Sequence, residues 1–205
     1  MTRWSDAVGQ DSGESYHARM AAFAASGQDA HGEADFVSTL LAAGGRVLDA
    51  GCGTGRVAIE LGARGFEVVA ADVDASMLAV ASRSAPDLTW LERDLAALEP
   101  AEPALTGGFD VVLAAGNVIP LLSEGTEADV VRRLAACLRP HALLVAGFGT
   151  DVEHLPLDHV PVTLEDYDTW CDDAGLTLRD RFLTWDREPF EPDRGYAVSV
   201  HEHRT

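Results

Sequence analysis

The chain has 205 residues, with 15 basic against 34 acidic, a formal net charge of −19 and 47% apolar content. That size and apolar content suit one packed globular core rather than a disordered chain. The charge argues against an extended nucleic-acid or anionic membrane surface, because no basic stripe offsets it and Arg132–Arg133 is an isolated pair on a solvated helix face.

The opening MTRWSDAVGQDSGES is polar and has no apolar leader, and no apolar run is long enough to span a bilayer. Cys52, Cys137 and Cys171 are odd in number and far apart. That spacing predicts neither a disulfide framework nor a metal site, and it fits a reducing cytoplasm.

A helix is predicted over 14–25, with Tyr16, Met20 and Phe23 on one face, and a second over 33–43, stopped by Gly44 and Gly45. Strands and helices then alternate. RVLDA is a strand, RVAIELGARG a helix, FEVVAAD a strand and ASMLAVASRSA a helix. LTWLERD and FDVVLAAG are strands, separated by a polar, Pro-containing connection. TEADVVRRLAACL is an amphipathic helix, HALLVAGFG a strand and TLEDYDTWCDDAG a helix. This alternation predicts an α/β fold: a mostly parallel sheet with helices on both faces. LTLRDRFLTWDREPF and YAVSVHEH, joined by EPDRG, complete a set of seven strands as an antiparallel hairpin at one edge. His201 and His203 alternate on the last strand and are expected to face solvent together. No repeat and no linker marks a second domain.

The stretch LDAGCGTGR has glycines at 51, 53 and 55 between a strand and a helix. Glycines there permit tight turns and let a ligand approach the backbone without a Cβ in the way. A triphosphate loop needs Lys then Ser or Thr at its end, but Arg56 and Val57 follow Gly55. The dinucleotide pattern wants glycine at 56. Asp72 ends the second strand about twenty residues beyond the loop, where an acid takes ribose hydroxyls in such folds. Asp74 is the better placed N-cap for the next helix. Asp94 ends the third strand and can accept from an adenine amine or cap the following turn.

These stretches resemble the class I S-adenosylmethionine-dependent methyltransferases from about Gly13 to the end. VLDAGCGTGRVAIEL, VVAADVDASML, ERDLAAL and FDVVLAAGNVIPLL are similar to the first four family motifs. ACLRPHALLVAGF is similar to the fifth, with Pro140-His141-Ala142 where the family usually has Pro-Gly-Gly. The resemblance implies a Rossmann-like, doubly wound, seven-stranded sheet with an antiparallel C-terminal hairpin. It implies one domain: a helical lid (1–45), a cofactor-binding core (46–149), and an acceptor-side loop, helix and closing hairpin (150–205). The cofactor implied is S-adenosylmethionine, with S-adenosylhomocysteine as product. Asp49, Gly51, Gly53 and Gly55 would surround its methionine part. Asp72 would take the ribose, Val73 and Met77 the adenine, and Asp94 and Leu95 the adenine edge. Ala115, Gly116 and Asn117 would lie beneath the sulfonium. Tyr16 and Arg19 would close over the cofactor, Arg19 meeting its carboxylate. Cys52 reads as a packing residue of the loop rather than a nucleophile.

Direct displacement from a sulfonium demands alignment above all, and a base only when the acceptor must lose a proton early. Asn117-Val118-Ile119-Pro120 lacks the double proline and aromatic of nucleobase amino-methylating enzymes. A small-molecule acceptor is therefore expected, with a protein acceptor behind it and no nucleic-acid or membrane partner. GTDVEHLPLDHVPVT, after the fifth strand, is expected to contact the acceptor. His154, His159 and His31 are the candidate bases near neutral pH. A non-catalytic cofactor-binding protein and a nicotinamide-dependent oxidoreductase are the competing readings; the glycine spacing and terminal hairpin oppose the second.

Overall fold

The computed structural model describes residues 2–9, 12–27 and 29–204. Seven α-helices and seven strands follow in the order α1 (Arg3–Val8), α2 (Gly13–Ala25), α3 (Gly32–Leu40), β1 (Arg46–Ala50), α4 (Arg56–Ala63), β2 (Glu67–Asp72), α5 (Ala75–Ser84), β3 (Thr89–Glu92), β4 (Phe109–Ala114), α6 (Glu127–Ala136), β5 (Leu138–Gly149), α7 (Leu164–Asp173), β6 (Leu176–Phe182) and β7 (Tyr196–His203) among the described residues. The strands form one sheet in the order β3-β2-β1-β4-β5-β7-β6. Six strands run one way; β7 alone runs against them, paired with β5 on one side and β6 on the other.

Alternation along each strand sends neighbouring side chains to opposite faces. On one face Val47, Val111 and Val145 pack with Phe36 and Val37 of α3 and Ala58 and Leu61 of α4. On the other, Leu48, Val112 and Leu144 pack with α6 and α7. Both faces are covered, so the central strands read as continuous apolar runs. Local signals set the helix ends. The Asp74 carboxylate accepts from the Ser76 and Met77 amides at the start of α5, and Thr163 with Asp166 forms a capping box on α7.

Four features differ from the sequence expectations. First, α1 was not expected: its six residues carry too few apolar positions for a period to show. Second, β6 ends at Phe182, and residues 183–195 make a longer connection than EPDRG. Arg187, in the left-handed region, turns the chain there, and Leu183 N–H donates to the Glu188 carbonyl. Third, β5 begins at Leu138, with a register shift against β4; His141 takes the left-handed conformation (φ 62°) that a glycine would adopt freely. Fourth, His201 is 1% exposed rather than solvated. It lies on a strand flanked on both sides and covered by α7, with its ring edge-on to Tyr167. His203 is half-buried, with Nδ1 3.2 Å from the Arg139 carbonyl oxygen. The side chain of Phe23, expected on the apolar face of α2, lies outside the described residues.

Candidate cofactor site

A cavity of about 960 Å³, counting its space open to solvent, lies at the carboxyl ends of β1, β2, β3 and β4. That is where open α/β sheets bind their ligands. Its floor is the loop after β1. The Gly51 and Cys52 amides both donate to the Ala71 carbonyl, and the Gly53 amide donates to Asp72 Oδ2 at 2.8 Å. Glycine is required at 51 for two reasons: φ is +77°, and a Cβ would stand 2.5 Å from the Val118 side chain. Gly55, at φ +79°, caps α4, and its missing Cβ makes room for the Trp90 ring.

Four acidic or thiol groups sit around this loop in different states. Asp49 is almost fully buried, and its Oδ2 has no hydrogen-bond partner. Burial pushes its carboxyl up to about 7, opposed by the Arg56 charge and by a bond from the Ala58 backbone. Asp72 accepts from Gly53 and, through Oδ1, from the Asp74 amide at 2.9 Å. Burial raises it too, against the pull of those amides. Asp94 caps the turn after β3 by accepting from the Ala96 amide at 2.9 Å, and it also lines the cavity. The cap is observed, and it does not take the residue away from the cavity. Burial, with Asp49 and Asp72 nearby, pushes the Cys52 thiol well above its usual range.

Of the residues expected to bind the cofactor, Tyr16, Asp49, Gly51, Cys52, Gly53, Asp72, Val73, Met77, Asp94, Leu95, Ala115 and Gly116 all line this cavity. Three do not. Gly55 lies under Trp90. The Asn117 amide is spent on joining two loops: its Nδ2 donates to the His154 carbonyl, and its Oδ1 accepts from the Gly149 amide. Arg19 stacks its guanidinium over the Tyr16 ring, 5.1 Å from the centroid, and is absent from the lining.

The histidine candidates also lie off the cavity. Nδ1 of His154 pairs with Asp151 at 2.7 Å, and Nδ1 of His159 with Asp158 at 2.8 Å. His31 stands at the start of α3, 3.6 Å from Glu60. No residue of the loop after β5 lines the cavity.

The remaining wall was not anticipated. Thr2 and Trp4 reach it from the N-terminal segment, and Val118, Leu121 and Leu122 from the segment after β4. Arg3 joins these pieces: its guanidinium donates to the Pro120 and Leu122 carbonyls and pairs with Glu127 at 2.7 Å. Trp4 then meets Tyr16 edge-on at 5.6 Å. A lone Trp in a polar opening was the available signal for this wall. Arg56, which served only to exclude a phosphate loop, lines the cavity as well and pairs with Glu33. Among the described residues no cluster of side chains suits a metal ion, and no helix is long and apolar enough to cross a membrane.

Residues 47–141 match the family model described as a methyltransferase domain. A magnesium-protoporphyrin O-methyltransferase of Rhodobacter capsulatus is 40% identical over 76 residues, which cover 37% of this chain and 34% of that protein. A putative methyltransferase, YqeM, of Bacillus subtilis is 29% identical over 105 residues, 49% of this chain and 41% of that one. The chain thus matches well under half the length of these curated relatives. The crystal structure of a TehB-like S-adenosylmethionine-dependent methyltransferase from Corynebacterium glutamicum superposes with a TM-score of 0.82 at 28% identity, covering 94% of this chain and 98% of that one. The sheet order, the glycine loop and the acids at the ends of β2 and β3 agree with these likenesses: residues 47–141 match a methyltransferase domain, on the fold of the S-adenosylmethionine-dependent methyltransferases.

Proposed function

We propose that this protein transfers a methyl group from S-adenosylmethionine to a small-molecule acceptor by direct displacement. One observation carries the reading: a single cavity joins a polar half, made by the glycine loop, Asp49, Asp72 and Asp94, to an apolar half made by Trp4, Val118, Leu121 and Leu122. The polar half fits the cofactor. Asp49 offers a buried oxygen without a partner, and Asp72 and Asp94 keep acceptor capacity beyond their backbone bonds.

The cofactor supplies, when bound, an electrophilic methyl on a sulfonium. The chain's part is placement. In this reading Asp72 takes ribose hydroxyls, Asp94 an adenine amine, and Met77 and Leu95 pack on the base. Ala115 and Gly116 leave room beneath the sulfur. Trp4, Leu121 and Leu122 exclude water and hold the acceptor within about 3–3.5 Å of the carbon it attacks. None of the histidines lines the cavity, so this reading assigns no histidine the role of base. Residues 1–45 serve as the cover, 46–149 as the cofactor core, and 150–205 complete the sheet and hold the loop after β4 through Asn117.

The test pairs binding with transfer. S-adenosylhomocysteine should raise the melting temperature where NADH does not, and labelled methyl should appear in small molecules of a metabolite extract. Binding without any transfer sinks the catalytic reading. Label confined to the protein fraction redirects it to a protein acceptor.

A further inference from the structure

We propose that Arg56 binds the carboxylate of the cofactor's amino-acid part, with Glu33 as the positioning residue that aims the guanidinium. The inference rests on the cavity taking S-adenosylmethionine, and it places the charge contact on a residue other than Arg19.

The charge distribution comes first. Among the lining residues Asp49, Asp72 and Asp94 carry carboxyl groups, and Arg56 is the one cation. A ligand carboxylate entering this space is repelled at every ionised wall except the one that Arg56 forms. Arg56 is the first residue of α4, directly after the glycine loop, so it forms the cavity wall on the side of that loop. Arg19, by contrast, is spent on the Tyr16 ring and is absent from the lining.

The count of donors comes second. Nη1 donates to the Ala30 carbonyl and to Glu33 Oε2, and Nη2 donates to Glu33 Oε1 at 2.6 Å. Those three bonds use the end and one side of the guanidinium. The N–H groups left over are Nε–H and the second on Nη2. They lie on the same edge and are parallel, which is the fork that takes a carboxylate through two bonds. The Arg56 side chain keeps 28% of its exposure. Glu33 holds the end and the Ala30 carbonyl the other edge, and Glu33 is half as exposed, at 14%, so the guanidinium is oriented before any ligand arrives. The bland alternative is that Arg56 only ties α4 to the start of α3.

A ligand-side comparison separates the two. Calorimetry would measure S-adenosylhomocysteine against its decarboxylated analogue, on the wild type and on Arg56→Gln. The wild type should prefer the carboxylate-bearing ligand by about tenfold or more, and Arg56→Gln should remove that preference while leaving the analogue within about twofold. Glu33→Gln should give a smaller loss confined to the same ligand. Equal weakening of both ligands identifies Arg56 as a strut and overturns the proposal, as does an unchanged preference. Should Arg56→Gln unfold because Glu33 is left unpaired, Arg56→Gln with Glu33→Gln removes the pair together and serves the same cycle. A wild type that binds neither ligand defeats the cofactor reading itself, an outcome distinct from these.

Discussion

Two corners of the molecule bury ionisable groups and treat them in opposite ways. At the cofactor cavity, Asp49 is buried with one oxygen unpartnered. At the corner between α7 and the β6–β7 pair, Asp168 receives Arg181 at 2.5 Å, Arg181 also donates to Ser199, and His201 Nε2 stands 3.2 Å from the same Asp168 oxygen. Desolvation leads in both places: it raises Asp49 to about 7 and lowers His201 to about 4. Both corners leave polar atoms without a hydrogen-bond partner, Asp49 Oδ2 in the first and Tyr167 Oη and the His201 ring nitrogens in the second, but only the first opens onto the cavity. Burial alone therefore does not mark a binding site; burial with an unmet partner beside open space does.

The largest expected effect removes that unmet charge. The folded protein holds the Asp49 proton up to about pH 7, whereas an unfolded chain releases it near pH 4. Stability of the ligand-free protein must then fall as pH rises through that interval. Asp49→Asn should be more stable than wild type at pH 8, by as much as about 4 kcal/mol, with the gain gone below pH 4. Urea unfolding at both values checks it; a constant difference across pH would erase the contrast. His201 works from the other end. The unfolded chain takes up a proton near 6.5 and the folded one only near 4, so stability falls as pH drops between them. His201→Gln should flatten that acid limb by up to about 3 kcal/mol, read from denaturant midpoints.

Smaller effects sharpen the same contrast. Arg181→Met should cost about 1–2 kcal/mol at pH 7 through two lost charge-assisted bonds, while softening the acid limb, because the Arg181 charge helps hold His201 neutral. Asp72→Ala should weaken S-adenosylhomocysteine binding at least tenfold, about 1.4 kcal/mol, by calorimetry. Unchanged affinity would remove Asp72 from the ribose.

The central sheet was legible because its signals are local. RVLDA coincides with β1, and the alternation of strands and helices held from Arg46 to Asp173. So were the loop glycines and the acids at the ends of β2 and β3, whose spacing follows from the fold itself. What was hidden depends on contacts between distant segments. Tyr16 and Arg19 sit one turn apart, yet Tyr16 lines the cavity while the Arg19 guanidinium lies over the Tyr16 ring, a difference their spacing does not announce. Arg56 and Glu33 meet from separate helices, which no pattern in either stretch announces. Trp4 gained its place only through the docking of Arg3 against the segment after β4. His201 became buried because β7 lies inside the sheet rather than at its edge.

That inside position also dictates an order of assembly. β6 precedes β7 in the chain, yet its one sheet neighbour is β7. Until residues 196–203 lie between them, β6 has no partner and the rim of β5 is open. An open strand rim recruits other chains. Any state in which β7 is unpaired therefore opens two strand rims at once, those of β5 and β6, to other chains.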